Sequence, residues 1–256
     1  MKELIERFAN SENVNSFAKE LLLPNRNLAL CGLKASSLGL FATGCINKTK
    51  DRVHLFLFAD KQRAVYFYND LELFFDTTDT PQEDKDIVFY PATYTHQDDV
   101  SSIQNANVVL RNMALQKLIS HKARVIVSYP QAVSEKVVAS RTLHSKMISV
   151  RTGDTLDIDE FIDKLDDYDF ERVSQVYDAG QFSLRGGIID VYSFASQQPF
   201  RIEVFGDQVD SIRTFDIASQ LSIEIKDQIT ILADNSSTQT LTEKVALTDY
   251  LPQDTI

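Results

Sequence analysis

The segment Gly32 to Gly39 has the position and length of a loop that could bind phosphate groups. Such loops follow the pattern GxxxxGK[ST], in which backbone N–H groups surround the phosphates, the lysine reaches them and the hydroxyl helps to hold magnesium. Here Ser37 replaces the second glycine, Leu38 the lysine and Gly39 the serine or threonine, and Lys34 lies too early to substitute. We predict a degenerate, non-functional phosphate loop, no catalytic residue and no cofactor in this piece of chain.

Other chemistry-bearing residues are scattered along the sequence. The histidines His54, His96, His121 and His144 have no carboxylate or cysteine at ligand spacing, so no metal or general-base site is predicted. Nine acidic residues fall between Asp154 and Glu171 without the glycine turn of a calcium loop. That run is typical of the solvated face of a helix.

A third pattern points to protein docking. In the run Phe200 to Phe205, alternation places the apolar positions on one face and Arg201, Glu203 and Phe205 on the other. An exposed aromatic beside an arginine is typical of interface hot spots. Arg185 precedes a Gly-Gly pair that can bend the chain tightly and bring it to the same face. The alternative is a cross-strand Arg–Glu pair, with Phe205 covered by a loop.

The first half of the chain alternates helix and strand. This order predicts a largely parallel sheet. The predicted helices are 2–22, Ser36–Ile46, Asp60–Phe75, 107–120 and one that Pro130 opens. The predicted strands are Leu28–Cys31, Val53–Ala59 (covered on both faces), Ile87–Tyr90 and Val125–Ser128.

The second half changes character near Lys146 and predicts an α+β module with antiparallel pairing. Asp157 caps a helix, and Gly206-Asp207 is a two-residue hairpin signal. The predicted strands are Met147–Arg151, Arg172–Tyr177, Gly187–Tyr192, Phe200–Phe205 and Gln208–Phe215. We predict a motor-like α/β domain at 1–146, a docking domain at 147–233 and the start of a following segment at 234–256, as expected of a piece of a longer protein.

Composition narrows the function classes. The net charge of −11 over 256 residues argues against sequence-independent DNA binding, which requires a basic surface. No apolar run approaches the ~20 residues of a membrane helix. Cys31 and Cys45 lack a CxxC or Cys/His context, which favours buried thiols in a reducing, cytoplasmic compartment.

The runs Gly180 to Tyr192 and Arg201 to Asp216 resemble the module shared by the excision-repair protein UvrB and the transcription-repair coupling factor (Mfd) family. The resemblance implies a truncated RecA-like domain (UvrB domain 1a-like) followed by a UvrB domain 2-like domain. It also implies that Arg185, Arg201 and Phe205 contact UvrA. Two departures from UvrB favour the coupling factors: the degenerate phosphate loop, and the gap from Tyr90 to Ser102, which is too short for UvrB's DNA-clamping aromatic hairpin.

The resemblance implies a role in nucleotide excision repair. An N-terminal UvrB-like region recruits UvrA to RNA polymerase stalled at a lesion, and a C-terminal domain masks it in the full protein. The parent is then an ATP-dependent DNA translocase, whose motor domains bind ATP and magnesium and whose other parts engage RNA polymerase and double-stranded DNA. The alternative is a UvrB-like nucleotide- or DNA-binding helicase fragment.

Overall fold

The computed structural model describes residues 2–93, 101–233 and 243–256. His96 and most of the polar tract after residue 233 lie outside these ranges, as does part of the gap between Tyr90 and Ser102. The α-helices are α1 (Lys2–Ala9), α2 (Glu12–Leu21), α3 (Ser37–Lys48), α4 (Lys61–Phe74), α5 (Ser101–Ile119), α6 (Pro130–Ser134), α7 (Ser140–Ser145) and α8 (Ile158–Asp167). The strands are β1 (His54–Leu57), β2 (Ile87–Phe89), β3 (Val125–Ser128), β4 (Val137–Val138), β5 (Met147–Arg151), β6 (Glu171–Arg172), β7 (Gln181–Arg185), β8 (Ile188–Val191), β9 (Phe200–Phe205), β10 (Gln208–Phe215), β11 (Ser222–Ile225), β12 (Gln228–Leu232) and β13 (Lys244–Val245).

The chain divides into two compact units. The first comprises Met1–Ala92, Lys117–Glu135 and Ala246–Ile256, and the second comprises Thr93–Gln116 and Lys136–Val245. The predicted domain boundary at residues 146 and 147 stays a prediction. In the described part of the chain, no helix is both long enough and apolar enough to cross a membrane.

The first unit contains a parallel sheet in the order β1-β3-β2, which confirms the predicted parallel pairing. The central strand β3 is buried along its whole length. Asp60 caps α4 as predicted, because its carboxylate accepts a hydrogen bond of 2.8 Å from the backbone N–H of Arg63. At Gly39, an added Cβ would lie 2.9 Å from the Cβ of Asp70, so this glycine permits close approach of α3 to α4.

Three expectations for the first unit are wrong. The helix predicted for 2–22 is two helices, since Ser11 starts a second one by capping it. Residues 28–31 form no strand. The outer edge of β1 instead bonds to Ile256, whose N–H donates to Val53 O (2.8 Å) and whose carbonyl accepts from the N–H of Leu55 (2.7 Å). β1 is not covered along both faces, because only His54 is buried, the next two residues are half-buried and Leu57 is 52% exposed.

His54 gives this unit a predicted acid sensitivity. Burial lowers the pKa of His54 from 6.5 to about 4; the charge of Arg124 acts in the same direction and a hydrogen bond to Thr49 opposes it. Below pH 6.5, His54 therefore binds a proton in the unfolded chain, whereas in the folded chain it stays neutral until the pH falls to about 4. We expect the free energy of unfolding to fall by about 3 kcal/mol between pH 7 and pH 4 from this residue alone.

Urea denaturation at several pH values measures this effect, with His54→Asn as the control because it lacks a titrating ring. The wild-type protein should lose more stability in acid than the variant. Equal pH dependence of the two proteins would contradict the assignment.

The second unit contains a six-stranded sheet in the order β11-β10-β9-β8-β7-β6. It is antiparallel except for the β6–β7 pair, which confirms the predicted α+β character with antiparallel pairing. Asp157 caps α8, whose buried residues Phe161, Ile162 and Leu165 pack on one face of the sheet. The acidic residues of α8 are exposed, as predicted.

The strand predicted for 172–177 is wrong beyond Arg172. The side-chain carbonyl of Gln181 accepts hydrogen bonds from the backbone N–H groups of Tyr177 (3.0 Å) and Asp178 (3.1 Å), so the chain turns before β7. Gly180, at a φ of 87°, completes this turn beneath the ring of Phe194. Strands β11 and β12 were not predicted.

Candidate functional site

The outward face of the six-stranded sheet carries all three predicted docking residues. Arg201 lies opposite Asp190 on β8 and opposite Arg213 on β10. Phe205 follows Arg201 by four residues on β9, so alternation places both on the same face. Arg185 reaches this face as well, because its guanidinium bonds to Asp190. We call the set Arg185, Asp190, Arg201, Glu203 and Phe205 the docking surface.

Two tight hairpins bring Arg185 and Phe205 to the same end of the sheet. Each turn contains two residues and begins with a glycine at positive φ, Gly186 at 61° and Gly206 at 67°. A glycine at the first turn position is the pattern of a type II′ hairpin. Arg185 ends β7 and Phe205 ends β9, and only β8 separates these strands, a spacing of about 10 Å. A single patch of a partner protein can contact both residues.

Gly187 holds the middle strand of this arrangement in place. Its carbonyl accepts a hydrogen bond of 2.8 Å from the N–H of Val204. A Cβ built on Gly187 would lie 2.4 Å from the Val204 carbonyl oxygen, closer than real Cβ contacts come. The close pairing of β8 with β9 therefore requires glycine at this position.

Asp190 joins the two arginines of the docking surface. Its side chain is fully buried. Arg201 donates from Nε to Oδ1 (2.7 Å) and from Nη2 to Oδ2 (2.9 Å), and Arg185 also donates to Oδ2. The hydrogen bonds to Asp190 raise the pKa of Arg201. Arg201 further donates to the Gln220 carbonyl (3.3 Å) and stacks 4.5 Å from the ring centroid of Phe215.

Glu203 is likewise engaged. It forms an ion pair with Arg213 and accepts a hydrogen bond from the hydroxyl of Ser211 (2.9 Å). Phe205 differs from its charged neighbours, since it is 86% exposed, the most exposed of the large hydrophobic residues in the described part of the chain. The cross-strand Arg–Glu pair of the alternative is present between Arg213 and Glu203, while Arg201 pairs with Asp190. Phe205 is not covered by a loop, and the docking role of Arg185, Arg201 and Phe205 stays a prediction.

The segment Gly32 to Gly39 follows an extended stretch without strand pairing and leads into α3. The hydroxyl of Ser37 bonds to the backbone of Lys34 at both its N–H (2.8 Å) and its carbonyl (2.6 Å). At Gly39, where magnesium binding requires a hydroxyl, the contact with Asp70 leaves no room for a side chain. Among the described residues, no group of three or more histidine, cysteine or acidic side chains is arranged to hold a metal ion.

Sequence reasoning did not single out Asp190 or the Glu203–Arg213 pair. The Gly-Gly turn fixes the register of β7 on β8 and so places Asp190 on the outward face. The register of β8 on β9 depends on the connection at 192–199, which carries no short-turn signal. The pairing of Asp190 with Arg201 could therefore not be read from the sequence.

The burial of Asp190 predicts a stability effect at Arg201. Arg201→Ala removes two hydrogen bonds from a carboxylate that has no access to water, leaving Arg185 as its remaining partner. We expect a loss of about 2 kcal/mol in the free energy of unfolding. Arg185→Ala should cost clearly less, because the Arg185 side chain is 46% exposed against 16% for Arg201. Urea denaturation of both variants checks this order, and equal losses would contradict it.

Residues 148–236 match the family model of the UvrB interaction domain. This range contains the whole docking surface and every strand of the six-stranded sheet. Among the elements of the second unit, it leaves out α5, α7, β4 and β13. This part of the chain therefore resembles a UvrB interaction domain in sequence.

The wider chain is similar to the transcription-repair-coupling factors. It is 27% identical over 202 residues to the Bacillus subtilis factor, covering 79% of this chain and 16% of that protein. It is 27% identical over 173 residues to the Escherichia coli factor, covering 68% and 14%, and 46% identical over 84 residues to the Staphylococcus haemolyticus factor, covering 33% and 7%. The chain thus spans less than a fifth of these relatives, and the expected resemblance to their family is confirmed.

Proposed function

We propose that this chain is the UvrB-like N-terminal region of a transcription-repair coupling factor and that its docking surface binds UvrA. The observation that carries the proposal is an almost fully exposed aromatic, Phe205, on the same face of the sheet as Arg185 and Arg201, within the residues that match the UvrB interaction domain. Exposed aromatic and arginine side chains on a rigid scaffold are the residues that most often anchor protein interfaces.

The rigidity of the surface supports this role. Arg201 and Glu203 are held by neighbouring strands, and two glycine hairpins fix the ends of β7 and β9. A surface that is ordered before binding loses little side-chain entropy when the partner docks.

In finer detail, we propose that the first unit is a truncated RecA-like domain related to UvrB domain 1a and that the second corresponds to UvrB domain 2.

The test is a pull-down with purified components. Immobilised chain should retain UvrA, and retention should weaken as salt rises because the surface is charged. Failure to retain UvrA at low salt, with a folded chain, would contradict the proposal.

We further propose that this piece has no catalytic activity of its own and that ATP hydrolysis, translocation on double-stranded DNA and contact with RNA polymerase belong to the rest of the parent protein. The absence of a phosphate-loop lysine and the packing at Gly39 support this division. We expect Mg-ATP to leave the melting temperature of the chain unchanged. A clear ATP-dependent increase would favour the alternative, a UvrB-like nucleotide-binding helicase fragment.

A further inference from the structure

Asp190 forms hydrogen bonds with both arginines of the docking surface. Its carboxylate is completely buried, and its two oxygens receive three hydrogen bonds from Arg185 and Arg201. Burial of a carboxylate is costly unless it is paired and hydrogen-bonded, so this aspartate imposes strong geometric requirements on its partners.

The two arginines differ in how many of their N–H groups already donate hydrogen bonds within the chain. Arg201 donates from all three of its nitrogens, to Asp190 and to Gln220, and one face of its guanidinium is covered by Phe215. Within the described residues, Asp190 is the only hydrogen-bonding partner of the Arg185 side chain, which is 46% exposed. The guanidinium of Arg185 therefore keeps donors that face solvent.

The charges around Asp190 do not balance. Two guanidinium groups face one carboxylate, which leaves one positive charge, whereas Glu203 and Arg213 compensate each other. The surplus lies at Arg185, because the Arg201 side chain is only 16% exposed. A guanidinium with free N–H groups is a good match for a carboxylate.

We propose that Asp190 is the positioning residue of the docking surface. It locks Arg201 as a structural support and orients Arg185, whose free N–H groups then donate to an acidic side chain of the partner while Phe205 enters an apolar pocket beside it. This inference rests on the proposed function for the identity of the partner, UvrA, but not for the positioning role itself.

The positioning role is tested first without any partner. Proton–nitrogen NMR of the guanidinium groups measures rotation about the Cζ–Nε bond. In the wild-type protein, rotation in Arg201 should be slow, and Asp190→Asn should accelerate it at least about tenfold by removing charge-assisted hydrogen bonds. Asp210→Asn, a matched charge change at an exposed position of β10, should leave it unchanged. Fast rotation in the wild-type protein would overturn the proposal even if Asp190→Asn failed to fold.

A double-mutant cycle then tests the effect on docking. Asp190→Asn should weaken UvrA binding about tenfold in the wild-type background and have no further effect in the Arg185→Ala background. A merely structural role would weaken binding in both backgrounds, and an unchanged affinity in both would also overturn the inference. If the wild-type chain does not bind UvrA at all, the proposed function fails, while the NMR measurement still decides the positioning role.

Discussion

Replacing Phe205 with alanine is expected to weaken UvrA binding by at least about 30-fold, equivalent to ~2 kcal/mol, because truncation of a central aromatic anchor typically costs this much. The same change should leave the free energy of unfolding nearly unaltered. Phe205 is 86% exposed, so its removal creates no cavity in the core. Isothermal titration calorimetry gives the affinity, and urea denaturation gives the stability.

The matched control for this variant is Tyr66→Ala on α4. Tyr66 is also an exposed aromatic, at 61%, but it lies in the first unit and outside the UvrB interaction domain. The Tyr66→Ala variant should bind UvrA with the same affinity as the wild-type protein. Equal affinities for wild type and Phe205→Ala would remove Phe205 from the interface.

Replacing Gly187 with alanine should cost at least about 3 kcal/mol of folding stability. The added methyl group would come within 2.4 Å of the Val204 carbonyl oxygen, which belongs to the backbone and cannot move without separating β8 from β9. Separation would also displace Asp190 from Arg201. UvrA binding should therefore fall together with stability, in contrast to Phe205→Ala.

The neighbouring glycine provides the control. A Cβ on Gly186 meets nothing within 4 Å, so Gly186→Ala suffers only from its positive φ of 61°, about 1 kcal/mol. Urea denaturation followed by circular dichroism compares the two variants. A smaller loss for Gly187→Ala than for Gly186→Ala would show that β8 and β9 are not held together in this way.

Much of the docking surface could be predicted because its signals are local. Alternation in Phe200–Phe205 depends only on the strand period of two residues, and the Gly206-Asp207 hairpin depends on turn chemistry. Both features are present in the structure. The helix capped by Asp157 was predictable for the same reason, since a cap and an apolar stripe lie within a dozen residues.

The remaining features depend on contacts between distant residues. No property of Leu28–Cys31 distinguishes an unpaired extended segment from a strand. In the structure this segment stays unpaired, and Ile256 bonds to the β1 edge. The ion pair between Asp190 and Arg201 likewise depends on a register set across a long connection. This pairing changes the interpretation of Arg201, from an exposed anchor to an internal support of the surface.

Hydrogen–deuterium exchange of the wild-type chain with and without UvrA tests the central claim most directly. Docking on the outward face should slow amide exchange in the peptides that carry Arg185 and Phe205, at the β7–β8 and β9–β10 hairpins, where turn amides otherwise exchange readily. Exchange in α4, in the first unit, should not change. Protection of both hairpins is the predicted result; formation of a complex without protection at either hairpin would contradict the account.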